Sequence, residues 1–241
     1  MSRRLRNFFP LRADEMANEI EIKLLSPDKG ILKEIFTSPV VAPYLEGKPV
    51  RKVLHAYYLD TPSLRLARAG VAYRLRKEGD QWVAAVKTDK RVTRDGLHVR
   101  KEWEYDLPAP VADFKFFKDR ALVHRLANVV GDEPLVILFE SRVVREASLM
   151  VFPDETRIEL AADEGEIICG GLREPILEVE LELKDGDESR LAGLSKSLQK
   201  AYPLVPGNRG KYVRGLALLR ESGVKALRLA DDFFRETEPR G

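Results

Sequence analysis

Charged residues of one sign recur at every second position in several separate segments, and few folds can accept that pattern. Residues 19–24 read Glu-Ile-Glu-Ile-Lys-Leu. In a strand, this puts Glu19, Glu21 and Lys23 on one face and Ile20, Ile22 and Leu24 on the other. One such strand needs no explanation beyond a sheet with its charged face in water. The pattern repeats, however: Arg74 with Arg76, Glu102 with Glu104, and Glu178 with Glu180 and Glu182. Like charges two residues apart on one face repel and gain nothing in water, so a solvated sheet usually mixes signs and neutral polar residues. Acid rows and base rows on different strands therefore predict a sheet closed on itself, with opposed charged walls inside and aliphatic rows outside.

The bulk charge balance sends the argument to local arrangement. Across 241 residues, 41 Lys+Arg nearly cancel 39 Asp+Glu, leaving +2 and no global field to draw nucleic acid or an anionic membrane. A single cysteine, Cys169, excludes an intrachain disulfide, and His55, His98 and His124 lack zinc-site spacing. No run approaches the roughly 20 apolar residues of a membrane span. The expectation is a soluble, cytoplasmic protein with no nucleic-acid or membrane partner.

Along the chain, strands are predicted at residues 19–24, 53–60, 71–76, 82–87, 97–106, 135–145, 147–152, 156–160, 166–169 and 176–183. Turns are predicted at 78–80, 153–155 and 163–165, and Gly170-Gly171 reads as another. A helix capped by Ser26-Pro27 runs to about Phe36, helical spacing follows Pro110 as far as Val130, and Asp187 caps an amphipathic helix to Tyr202. Eight or more strands at hairpin spacing, interrupted by helices, give an α+β chain whose sheet is a barrel or a sandwich. Residues 1–15 are set apart as a disordered or non-native extension, 16–221 form the one domain, and 222–241 a terminal helix or tail.

Buried charges must be compensated, since an unpaired one costs several kcal/mol. Paired carboxylates supply hard oxygen ligands for Mg²⁺ or Mn²⁺, and Arg and Lys bind phosphate oxygens. The rows thus point to a divalent cation together with a polyanion.

The residues then resemble a known family. Glu19-Ile-Glu-Ile-Lys23 is similar to the E-x-E-x-K signature of the CYTH, or triphosphate tunnel metalloenzyme, superfamily. Across about residues 17–216 the rest follows in order. Tyr58-Leu-Asp-Thr61 resembles Y-x-D-T, the 71–76 segment an R-x-R strand, and 82–87 a W…T-x-K strand ending in Lys87. Arg100 to Glu104 resembles R-x-E-x-E. The 139–145 segment is similar to F-x-T-x-F-x-R, which favours Arg145 over Arg142. Arg157-Ile-Glu159 through Gly165 resembles R-I-E…D-x-G, Glu174-Pro175 through Glu182 resembles E-P…E-x-E-x-E, and Lys211 with Arg214-Gly215 resembles the closing S-K…R-G. Ala85, Ser141 and Gly210 depart from the pattern, replacing Thr, Thr and Ser.

What the resemblance implies is a closed, antiparallel, eight-stranded β-barrel with a charged interior and helices packed outside, and divalent-metal-dependent hydrolysis of inorganic triphosphate, closest to the bacterial inorganic triphosphatases. It implies Glu19, Glu21, Lys23, Glu178 and Glu180 as catalytic. Lys23, Arg74, Arg76, Lys87, Arg145, Arg157, Lys211 and Arg214 would bind phosphate. Glu19, Glu21, Glu102, Glu104, Glu159, Asp163, Glu178, Glu180 and Glu182 would be metal ligands. Thiamine triphosphatase, adenylate cyclase and a non-catalytic polyphosphate-binding module are the alternatives. The chain carries no CHAD domain, which often follows such domains, and pairing as a homodimer is compatible with it. Tyr58 and Asp60 are assigned to the turn, Phe114, Phe116 and Phe117 to helix packing, and the three histidines to ordinary structural places.

Overall fold

The protein is described by a computed structural model that covers residues 17–92, 97–224 and 227–237. The expected 1–15 extension lies outside the described residues. The alternating segments form eight long antiparallel strands: β1 (Ala17–Leu25), β2 (Val50–Asp60), β3 (Ala72–Glu78), β4 (Gln81–Val92), β5 (Leu97–Leu107), β6 (Val136–Val151), β7 (Arg157–Cys169) and β8 (Leu172–Asp185). They pair in the ring order β6-β2-β3-β4-β5-β1-β8-β7, and β7 pairs back onto β6, so the barrel is closed. Two short strands are added at its edges: β9 (Val205–Pro206) pairs with β1, and β10 (Arg228–Leu229) with β6.

The helices are α1 (Lys29–Glu34), α2 (Arg65–Arg68), α3 (Arg120–Val130), α4 (Glu188–Ala201), α5 (Lys211–Ser222) and α6 (Ala230–Thr237). Asp187 caps α4 as expected, accepting from the Ser189 N–H at 2.8 Å. The first helix is capped by Asp28 rather than by Ser26-Pro27. Helical structure after Pro110 begins only at Arg120, where Asp119 accepts from Leu122 N–H. Phe114 and Phe117 reach the core from the preceding loop instead.

Four predicted strands are in fact two. Residues 135–152 run on as the single strand β6, and the predicted turn at 163–165 is the middle of β7. Gly165 explains the misreading, since it serves close approach rather than reversal. A Cβ there would collide with the Arg142 carbonyl oxygen and crowd Val143 Cα at 2.8 Å.

The aliphatic rows face outward and are covered, as the alternation requires. Ile22, Leu24, Val179 and Leu181 pack under Leu32 and Ile35 on one side and Leu191, Leu194 and Leu198 of α4 on the other. On the opposite flank, Tyr57, Tyr73, Leu75 and Trp82 pack against α3 and Phe234 of α6. A third cluster was not expected. Leu54, Ala56, Tyr58, Phe139, Val143, Ile167 and Ile176 pack with Leu218 and Tyr212 of α5. By strand alternation these residues share the inner face with the charged rows, so one end of the barrel interior is filled with apolar side chains beneath α5. Gly215 permits this contact, because a Cβ there would run into the Phe139 ring.

Candidate active site

The barrel interior holds a cavity of about 490 Å³. Its lining follows the rows read in the sequence. β1 contributes Glu19, Glu21 and Lys23, β3 Arg74 and Arg76, β4 Lys87, and β5 Glu102 and Glu104 with Arg100. β6 contributes Arg145, β7 Glu159 and Asp163, β8 Glu180 and Glu182, and α5 Lys211. In the ring order β3 stands four places from β8, so the Arg74 and Arg76 row faces the Glu180 and Glu182 row across the barrel.

At the end capped by α5, three carboxylates meet. Asp163, Glu178 and Glu180 each place an oxygen within 4.8 Å of the others. The register sets Asp163 directly opposite Glu178. Like charges so placed are destabilising unless cations intervene, and here several do. Lys211 Nζ donates to Asp163 at 2.8 Å, Glu178 at 2.9 Å and Glu180 at 2.7 Å. Arg145 makes a two-pronged contact with Asp163 at 2.7 Å for each bond and also pairs with Glu180, as does Lys23. Burial alone would raise the Glu180 carboxyl, but Lys211, Lys23 and Arg145 outweigh it and hold Glu180 well below the usual range. The same contacts hold Lys211 well above an ordinary lysine despite its burial.

Midway along the barrel, Glu19 and Glu21 are held by bases from β4 and β5. Lys87 Nζ reaches both Glu19 oxygens at 2.8 and 2.9 Å and Glu102 at 2.9 Å. Arg100 lies opposite Glu19 in register; its Nε bonds Glu19 and its Nη2 bonds Glu21 at 2.5 Å. Burial pushes Glu19 up, but Lys87 and Arg100 together bring its pKa far below the usual value.

The remaining acids are less compensated. Glu159 stands opposite Glu182, with Lys184 2.7 Å from Glu182 and 3.9 Å from Glu159. Burial, opposed by Lys184 and aided by Glu19, raises the Glu182 carboxyl to about 7. Glu102 is raised too, by burial against the attraction of Lys87. Arg74 and Arg76 share the Glu104 carboxylate at 3.3 Å each, and Arg76 also pairs with Glu78, while both Nε atoms are buried with no hydrogen-bond partner among the described residues. An unpaired N–H on a buried guanidinium is costly, and a phosphate oxygen would satisfy it. Side-chain exposure rises from 0 % at Asp163 and Glu178 to 38 % at Lys184, so the cavity deepens from the Lys184 end toward α5.

The carboxylate set suits a hard divalent cation, since all its donors are oxygens and its charge exceeds what the local bases cancel around Glu102, Glu159 and Glu182. Two expected phosphate ligands lie elsewhere. Arg157, the first residue of β7, is exposed, pairs with Glu46 at 3.6 Å and is not part of the cavity lining. Arg214 lies outside the cavity lining: it bonds Glu174 at 2.6 Å, the Pro175 carbonyl at 2.5 Å and Glu178, so it supports a carboxylate instead of facing the cavity. Asp60 does serve the turn, accepting from the N–H groups of Thr61, Leu66 and Ala67 at 2.6, 2.8 and 2.9 Å. Tyr58 instead faces the cavity, its ring stacked on Phe139 at 4.6 Å. Arg100, Lys52, Glu78 and Lys184, to which the sequence assigned no site role, also line the cavity. Arg100 shares the parity of Glu102 and Glu104, a signal that was available.

Residues 17–215 match the CYTH domain model. The chain belongs to the CYTH family. It is 30% identical over 209 residues to the inorganic triphosphatase of Haemophilus influenzae, a match that takes in 84% of this chain and 55% of the relative. The CYTH chain described here therefore spans about half the length of that protein. Among solved structures it resembles HpAC1 from Hippeastrum, a proposed adenylyl cyclase whose structure is said to reveal a dominant triphosphatase activity. That likeness has a TM-score of 0.61 at 21% identity, over 88% of this chain and 99% of the other. The structure of a candidate adenylate cyclase from Bacillus halodurans aligns with a TM-score of 0.51 at 17% identity, over 81% and 96%. At those identities both establish the fold alone. No helix among the described residues is long and apolar enough to cross a membrane.

Proposed function

We propose that this CYTH barrel hydrolyses inorganic triphosphate to pyrophosphate and phosphate with a divalent cation, Mg²⁺ or Mn²⁺. The observation that carries the reading is the pair of unpartnered Nε atoms on Arg74 and Arg76, set opposite a carboxylate wall in one cavity. Sequence similarity to the H. influenzae inorganic triphosphatase supports the choice of substrate.

In this reading Arg74 and Arg76 grip the phosphate chain from β3, with Lys87, Arg145, Lys23 and Lys211 as further positive charge around it. Glu19, Glu21, Glu102, Glu159 and Glu182 are the acids that would hold the cation, with Asp163, Glu178 and Glu180 deeper in the barrel. When bound, the cation neutralises phosphate oxygens and makes water a better nucleophile. Water attacks phosphorus in line with the bridging oxygen. The new P–O bond forms as the anhydride P–O bond breaks, its electron pair stays on the leaving phosphate chain, the proton lost by the attacking water passes to the leaving oxygen or to solvent, and the remaining charge is offset by the surrounding bases. No side-chain nucleophile is needed.

A second reading has its own support. The β2 and β6 side of the cavity is apolar, with Leu54, Ala56, Tyr58 and Val143 joined by Tyr212 and Leu216. Such a wall suits a triphosphate that carries an organic group. Phosphate release should be measured with inorganic triphosphate, ATP, thiamine triphosphate and longer polyphosphate, each with Mg²⁺ and Mn²⁺. Fastest turnover of inorganic triphosphate supports the first reading and preference for an organic triphosphate the second. Absence of turnover with every substrate overturns both.

A further inference from the structure

Glu19 and Glu21 are not free carboxylates. The fork of Arg100 spans both, and Lys87 covers the two oxygens of Glu19. A cation that takes these oxygens must displace those bases. The Arg74 and Arg76 Nε atoms are different, since they have no hydrogen-bond partner among the described residues and can take a phosphate oxygen directly. The cavity thus holds two kinds of donor: the open Nε atoms of Arg74 and Arg76, whose Nη2 atoms already pair with Glu104 and, for Arg76, with Glu78, and the Nε and Nη2 atoms of Arg100, both of which are on acids. Arg100 belongs to the second kind and lines the same cavity.

We propose that Arg100 couples the two ligands: a divalent cation at Glu19 and Glu21 releases the Arg100 guanidinium, which then turns onto the phosphate chain. This rests on the reading of the site as a cation and triphosphate site, and it adds a residue and an order of events. Before release, Arg100 competes with the cation. After release, it strengthens phosphate binding. By linkage each ligand then tightens the other by the same factor. A planar, always-charged fork suits both positions, because it matches carboxylate and phosphate geometry alike.

The test is calorimetry on the intact chain with Mn²⁺ and a non-hydrolysable imido analogue of triphosphate, each titrated alone and in the presence of the other. In the unaltered protein the analogue should tighten Mn²⁺ binding by a coupling factor of roughly 5- to 150-fold. Arg100→Gln should bind Mn²⁺ alone more tightly than the unaltered protein, and its coupling factor should fall toward one. Arg100→Lys keeps a charge without the fork and should fall between the two, giving a usable measurement where Arg100→Gln does not fold. An unchanged coupling factor in a folded variant overturns the proposal, as does weaker Mn²⁺ binding by Arg100→Gln alone. Triphosphate turnover of the unaltered protein is read separately. Turnover with unchanged coupling rejects the Arg100 role only, and coupling without turnover rejects the hydrolytic reading only.

Discussion

Lys211 donates to Glu180 across 2.7 Å, and the same ammonium also bonds Asp163 and Glu178. A base from α5 thus holds together acids from two neighbouring strands, β7 and β8. Helix α5 has Gly210 at its N-cap, and no side chain caps its first turn. The helix therefore contributes its positive end to the deep part of the cavity along with its lysine. Replacing Lys211 with Met leaves three buried carboxylates short of a partner. Breaking a buried ion pair this way costs about 3–5 kcal/mol. Urea denaturation should show that loss in the absence of divalent cation. A variant as stable as the original would show that Arg145, Lys23 and Arg214 compensate these acids by themselves.

Arg74 and Arg76 should carry substrate affinity more than stability. Charge-assisted hydrogen bonds are worth about 1.5–3 kcal/mol, so Arg74→Gln or Arg76→Gln should lower kcat/KM for triphosphate by roughly 10- to 150-fold. Steady-state kinetics alongside thermal melting separates the two effects. Unchanged kinetics in both variants would remove the basic wall from the site.

Arg157 and Arg214 offer a paired comparison. Arg157→Gln changes an exposed ion pair and should leave activity within about twofold and stability within about 1 kcal/mol. Arg214→Gln removes the support of Glu178 and should reduce both kcat and melting temperature. Similar effects of the two substitutions on kcat would contradict their different placements.

Glu182 sets a pH dependence whose sign is defined. Its carboxyl is raised to about 7 in the folded protein, from an ordinary value of 4.5. Between those values the folded state holds the proton more firmly than the unfolded state does, so stability from this group is fully present below about pH 4.5. It is lost as pH rises through 7. Melting temperature measured in EDTA should therefore fall between about pH 5 and 8, and Glu182→Gln should flatten that fall. A profile that rises with pH, and rises equally in the variant, would mean other groups govern this window.

Gly165 is predicted to be irreplaceable for a reason unrelated to turns. Its Cβ position is taken by the backbone of Arg142 and Val143, so Gly165→Ala must push β7 away from β6. Overpacking of this kind costs about 1–3 kcal/mol. Because Asp163 sits two residues away on the inner row, activity should fall as well. Chemical denaturation and phosphate-release assays together check both parts.

The alternation of charge and aliphatic residues was legible in the sequence, since a side chain's face in a strand depends only on its neighbours. From it came the closed barrel, the inward rows and most of the cavity lining, including Glu19, Glu21, Lys23, Arg74, Arg76 and Glu180. Other features depended on contacts between segments distant in the chain. Gly165 reads as a turn until β6 is seen pressed against it, and Arg157 reads as an inner-row base until its place at the exposed start of β7, beside Glu46, is seen. Arg214 carries the same charge as Lys211, three residues earlier on α5, yet one holds Glu178 from behind and the other faces the cavity. That difference comes from how α5 meets the barrel end, where Phe139 leaves room only for Gly215. Local periodicity determined which residues could be inside; only tertiary packing decided which of them face the cavity and which bases are bound to which acids.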